Sequence, residues 1–144
     1  MDLTTLAVLL ADPKYAAMTD AEAAAELNRP HLPGPIGTVE VRKQMARQGT
    51  FAVVVVASKD TDPAQSALRL TCIDTLEIIR DNDNDLDVSD PDVQAVLVIL
   101  VTALILTQAQ SDELTALSDN QQSEAGAAAL GRIRTFQVSA ARAL

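Results

Sequence analysis

Ser89–Gln108 reads SDPDVQAVLVILVTALILTQ, and its reading decides the fold. Between Ala95 and Leu106 the only polar side chain is Thr102, while Val96 through Val101 and Leu104 through Leu106 are large aliphatics. Plotted on a helix they point in every direction, which fits either a central core helix or a membrane span. Length separates the two. Ala95–Leu106 rises about 18 Å at ~1.5 Å per residue, against a bilayer core of about 30 Å. Six aspartates lie between Asp81 and Asp92, and no Lys or Arg flanks the run to set a topology. The stretch is therefore expected to be the apolar helix that others wrap, and no membrane partner is expected.

Composition supports a helical domain. The 144 residues are 48% hydrophobic but only 2% aromatic, so the core must come from Ala, Val, Leu and Ile. The net charge of −9 opposes nucleic-acid binding, which needs a basic face to displace counterions. Cys72, the single cysteine, excludes an internal disulfide and a multi-cysteine metal site, and its place in an apolar helix suits a small core residue. Asp2 has the wrong sign for a secretory leader.

Outward from the central stretch, local signals punctuate the chain. Leu3–Ala11 reads as a short helix stopped by Asp12-Pro13. Thr19 and Glu22 form a capping box opening a helix over Asp20–Asn28. Three prolines between Pro30 and Pro35 make an extended linker. Val39–Arg47 has helical spacing, and Gly49 interrupts. Phe51–Ala57 suits a buried strand or a helix end; helix is favoured because a strand there has no evident partner. Asp62-Pro63 and Asp90-Pro91 are helix starts. Ser111 is placed to cap a helix to Leu117, and Asp119 with Gln122 to open a last helix over Asn120–Arg142. The expected fold is all-α, a bundle of about five to seven helices, with an N-terminal helical arm (1–29), a Pro-rich linker (30–37) and a helical body (38–144).

Chemistry-bearing patterns are few. Asp81, Asp83, Asp85, Asp87, Ser89 and Asp92 fall at the ligand spacing of an EF-hand loop, a calcium candidate. Leu86 stands where that loop needs glycine, and Asp92 is shorter than the usual bidentate glutamate. The plain alternative is an acidic turn that also caps the next helix. His31 lies among prolines without a second ligand nearby. The five glycines are isolated, so there is no phosphate loop. No nucleophile–base set is visible, and no catalytic residue and no enzyme are expected. Arg132, Arg134 and Arg142 complement the dipole of the last helix and also leave a basic tip suited to an acidic partner.

Asp12-Pro13, Tyr15, Met18-Thr19-Asp20-Ala21, Ala23-Ala24 and Leu27-Asn28 give Leu3–Asn28 a pattern that resembles the opening of small proteins encoded among the structural genes of tailed bacteriophages. Arg134, Ser139 and Arg142 match, more loosely, the closing helix of such proteins. The resemblance implies a virion or virion-assembly protein of the neck, tail or fibres, acting through contacts with other virion proteins and with its own copies in a symmetric ring. Tyr15, Met18, Arg132, Arg134 and Arg142 are then the expected partner-binding residues. A soluble calcium-responsive module using residues 81–92 is the alternative.

Overall fold

In the computed structural model, which describes residues 1–81 and 84–144, the chain is all-α apart from one small ladder. Nine helices cover the described residues: α1 (Leu3–Leu10), α2 (Asp20–Asn28), α3 (Thr38–Gln48), α4 (Thr50–Ala57), α5 (Ser66–Arg80), α6 (Pro91–Thr102), α7 (Gln108–Ala116), α8 (Glu124–Ala127) and α9 (Thr135–Arg142). β1 (Ile36–Gly37) pairs antiparallel with β2 (Asp85–Leu86), Ile36 opposite Leu86. The chain divides into two compact units. Unit 1 is Met1–Leu32 with Asn120–Leu144, and unit 2 is Pro33–Asp119.

Unit 1 redraws the expected arm. α1 and α2 both pack on α9, because a short helix with one apolar stripe is stable only when that stripe is covered. Leu6, Tyr15, Ala23, Leu27, Ile133, Val138 and Ala141 form a buried cluster drawn from both ends of the chain. The last 25 residues therefore belong with the first 32 rather than with a body over 38–144. Local caps hold as read: Thr19 Oγ1 accepts from Glu22 N and Glu22 Oε2 accepts from Thr19 N.

The expected long last helix is two helices. Asn120 and Ala129 have φ of 54° and 55°, and Gly131 has φ of 67°, a conformation that ends a helix and that glycine adopts without strain. Upstream, Leu32 and Gln122 form an isolated bridge, which holds Gln122 outside any helix. The proline-rich stretch is correspondingly tied down. Leu32 N donates to Gln122 O within unit 1, and Gly34 N donates to Ser118 O within unit 2.

Unit 2 follows the local signals more closely. Phe51–Ala57 is helical, within α4, and Gly49 (φ 74°) is the left-handed residue separating α3 from α4. α7 begins earlier than expected: Thr107, not Ser111, is its cap, paired with Gln110 in a capping box, while Ser111 is buried one turn inside. α6 supplies Leu97 and Leu100 to the core with Val41, Met45, Val54, Cys72, Leu76, Ile79 and Leu114. It is shorter than the apolar run, ending at Thr102, and is not wrapped on all sides. Val98 is 64% exposed, Ile99 45% and Leu104 90%. The helices of unit 2 are too few and too short to enclose it.

Candidate functional site

The acidic stretch is built into the ladder rather than wrapped around a cavity. Asp85 lies in β2 opposite Gly37, and Leu86 opposite Ile36 packs against the unit 2 core. Position six of the supposed loop is thus extended and anchored where a calcium loop must turn sharply. The flanking carboxylates serve local turns. Asp81 Oδ2 accepts from Asn84 Nδ2 at 2.7 Å, and its carbonyl accepts from Thr38 Oγ1. Asp87 Oδ1 accepts from Ser89 N and Oγ at 2.9 and 2.5 Å. Asp90 caps α6 by accepting from Asp92 N at 2.9 Å. Asp83 lies outside the described residues. Among those described, no three His, Cys, Asp or Glu side chains gather as a metal-ligand group. The arrangement is a capped acidic turn, and its described carboxylates do not converge as calcium ligands.

Three of the expected partner-binding residues are spent inside unit 1. Tyr15 is fully buried, and its hydroxyl donates to Glu124 Oε2 at 2.6 Å. Met18 is half-buried against the unit 1 core. Arg142 donates to Asp20 Oδ1 at 2.6 Å, to Tyr15 O at 2.7 Å and to Met18 O at 3.0 Å. Its guanidinium therefore fastens α9 to the turn between α1 and α2, satisfying carbonyls that no helix uses.

Glu124 is the hub of a polar cluster that sequence reasoning missed. Besides Tyr15 it binds Lys14 Nζ and stands 3.3 Å from His31 Nε2. Burial pushes its carboxyl up, but the Lys14 and Tyr15 hydrogen bonds outweigh this and leave it below the usual carboxylate range. The Lys14 ammonium is raised to about 12, chiefly by the Glu124 hydrogen bond. Burial and then Glu124 push the Tyr15 hydroxyl up to about 12. His31 Nδ1 stands 2.7 Å from Arg29 O and so carries a proton toward that carbonyl. Both Glu124 oxygens are engaged and the tyrosine is covered, so the cluster has the form of a structural tie. Residues 14, 15, 31 and 124 have no spacing that announces it.

Arg132 and Arg134 remain, and the structure presents them. The side-chain amide of Asn28 acts on Ile133 as a neighbouring strand would. Ile133 N donates to Asn28 Oδ1 at 2.8 Å, and Asn28 Nδ2 donates to Ile133 O at 2.7 Å. Ile133 points inward and is buried. In an extended chain its neighbours then face the other way, and Arg132 and Arg134 are both exposed. Neither guanidinium has an ion-pair partner among the described residues. Phe136, two residues on, is 65% exposed.

Unit 2 contains a markedly apolar cavity of about 180 Å³ between α5 and α6, lined by Ile78, Ile79, Leu86, Val93, Val96, Leu97 and Leu100 together with Asp92 and Thr75. Nearer the α6 C-terminus, Leu68, Thr71, Val98, Ile99 and Thr102 line a second, shallower hollow. No helix of the described residues is long and apolar enough to cross a membrane. No family model, curated protein or solved structure matches the chain.

Proposed function

We propose that this chain is a non-enzymatic structural or assembly protein of a tailed bacteriophage, an adaptor associated with the neck, tail or fibres, and that it works through protein–protein contacts. The observation that carries the reading is the open aliphatic surface of unit 2. Singly exposed aliphatics are ordinary, but contiguous ones on a folded surface mark an interaction site. Val98 and Ile99 share one hollow with Leu68, and Leu104 follows at the end of α6. An interface would cover side chains that the chain's own helices leave in water.

The phage setting rests on the resemblance of Leu3–Asn28, and every part of that pattern has a mechanical use in unit 1. Asp12 caps the turn at Pro13–Tyr15, Tyr15 and Leu27 fill the core, Thr19 caps α2, Asp20 receives Arg142, and Asn28 clamps Ile133. The pattern thus describes a self-closing helical module made of both chain ends. Deleting the coding sequence from the phage that carries it, and imaging the lysate, tests the proposal. The expected result is incomplete particles, headless tails or tailless heads, with infectivity restored by the gene in trans. A normal yield of complete infectious particles would sink it.

A further inference from the structure

The charges of this protein are divided unevenly. Residues 33–119 hold fourteen acidic and six basic side chains, against six and five in the remainder. The acidic excess reaches the apolar groove between α5 and α6. Asp92 is among its lining residues. Asp74 lies one helical turn before Ile78, which lines the groove, and so shares its face of α5. Both carboxylates are exposed. The nearby cations are directed elsewhere: Arg80 stacks over the Phe51 ring at 5.9 Å, and Arg42 donates to Ile79 O. The groove therefore offers an apolar floor with one carboxylate, Asp92, in its lining and a second, Asp74, one turn away on α5.

Unit 1 offers the complementary chemistry. The extended edge held by Asn28 carries two exposed guanidiniums at Arg132 and Arg134, followed by the exposed ring of Phe136. Arginine and aromatic side chains are the residues most enriched where interfaces hold their energy. A phenyl ring suits an apolar groove of this size, and arginines beside it suit the two carboxylates.

We propose that the Arg132–Phe136 edge of one copy docks into the groove that carries Asp74 and Asp92 on a second copy. Because the two surfaces differ, the contact is head to tail. It propagates from copy to copy and closes into a ring if the rotation allows. The inference rests on the reading of the chain as an assembly subunit and names the surfaces that subunit uses.

Sedimentation velocity of the full chain, from micromolar to sub-millimolar concentration and at low and high salt, tests it. The wild type is expected to self-associate, more weakly as salt rises. R132E/R134E and, separately, D74K/D92K should each weaken association about tenfold or more, and F136A about as much. All these positions are exposed, so circular dichroism should stay unchanged; the melting temperature should hold for R132E/R134E and F136A and fall slightly for D74K/D92K, which places a cation in the first turn of α6. An equimolar mixture of the two charge-reversed proteins should associate again, since each acidic edge then meets a basic groove and each basic edge an acidic one. A wild type that is monomeric throughout overturns the proposal. So does an oligomer indifferent to both pairs of substitutions, or a mixture that fails to recover. In the last two cases copies still assemble by another surface. In the first, particle loss on gene deletion would leave the assembly role standing with a different partner.

Discussion

Unit 1, made of the two chain ends, and unit 2, made of residues 33–119, both use long-range polar ties but differ in how much aliphatic material they hold. Unit 1 has little large aliphatic material and closes itself with specific polar ties. Tyr15 and Lys14 meet on Glu124, Arg142 spans Asp20 and two carbonyls, and Asn28 clamps Ile133. Unit 2 carries comparable ties, among them Thr38 to Asp81 O, Gln48 to Gln110 O and Val88 N to Ser118 Oγ, but it has aliphatics to spare and leaves Val98, Ile99 and Leu104 in solvent. Oriented hydrogen bonds depend on a handful of residues. Non-directional burial tolerates change, but aliphatics beyond what the helices cover are left exposed. Predictions that break unit 1 without touching unit 2, or the reverse, sharpen the contrast.

The largest effect is expected from Tyr15→Ala. Tyr15 is the bulkiest fully buried side chain and the only large aromatic in the unit 1 core. Its removal leaves a cavity and an unpaired Glu124 oxygen, costing unit 1 about 3–5 kcal/mol. Amide hydrogen exchange read by mass spectrometry should show protection lost in α1, α2 and α9 and retained in α3–α7. Protection lost equally throughout would mean that the two units unfold as one, and the comparison would fail.

How much of this was legible in the sequence depends on distance along the chain. The Thr19–Glu22 capping box, the Asp90-Pro91 start and the helical state of Phe51–Ala57 could be read, because a cap acts over three residues and a helix over four. The division into units could not. It is made by Tyr15 with Glu124, Asn28 with Ile133 and Arg142 with Asp20, pairs more than a hundred residues apart that leave no periodicity. The broken last helix was half visible: Gly126 and Gly131 lie inside the expected span, but Ala129 at φ 55° is a residue whose type favours helix. The acidic spacing at 81–92 matches a ligand pattern, but Leu86, the residue at its turn position, is extended in β2 and packs against the core, which the spacing alone does not announce. Arg132 and Arg134 read as a dipole complement and basic tip toward the C-terminal end of the last helix; both instead precede α9, and the clamp that presents them comes only with the fold.

A smaller effect, with a pH signature, is expected from Glu124→Gln. The folded carboxyl is held below its ordinary value of 4.5, so its contribution is fully present above that value and fades as pH falls through the lower, folded one. Replacing the charge should destabilise unit 1 by about 1 kcal/mol at neutral pH, since charge-assisted bonds to Lys14 and Tyr15 become neutral ones. Urea midpoints of wild type and variant, measured from pH 7 downward, should converge once Glu124 is protonated in the wild type. A gap that stays constant into strong acid would show that shape rather than charge holds the tie.

The smallest effect on stability, and the one that bears most on unit 2, belongs to Leu104. It follows the C-terminal turn of α6, is 90% exposed, and has φ of 60°. A left-handed conformation costs a branched side chain about 1–2 kcal/mol, while glycine takes it freely at some cost in unfolded-state entropy. Leu104→Gly removes no packing from the folded chain and should leave the melting temperature unchanged or raise stability by roughly 0.5–1 kcal/mol. A large aliphatic held in water, on a backbone that prefers glycine, is a cost without return inside the monomer. If it instead meets a partner, the same substitution should weaken assembly while the isolated chain gains stability. Calorimetry of dilute protein, set beside sedimentation velocity at high concentration, reads both. A clear loss of melting temperature in Leu104→Gly would mean that the side chain is packed within unit 2 after all.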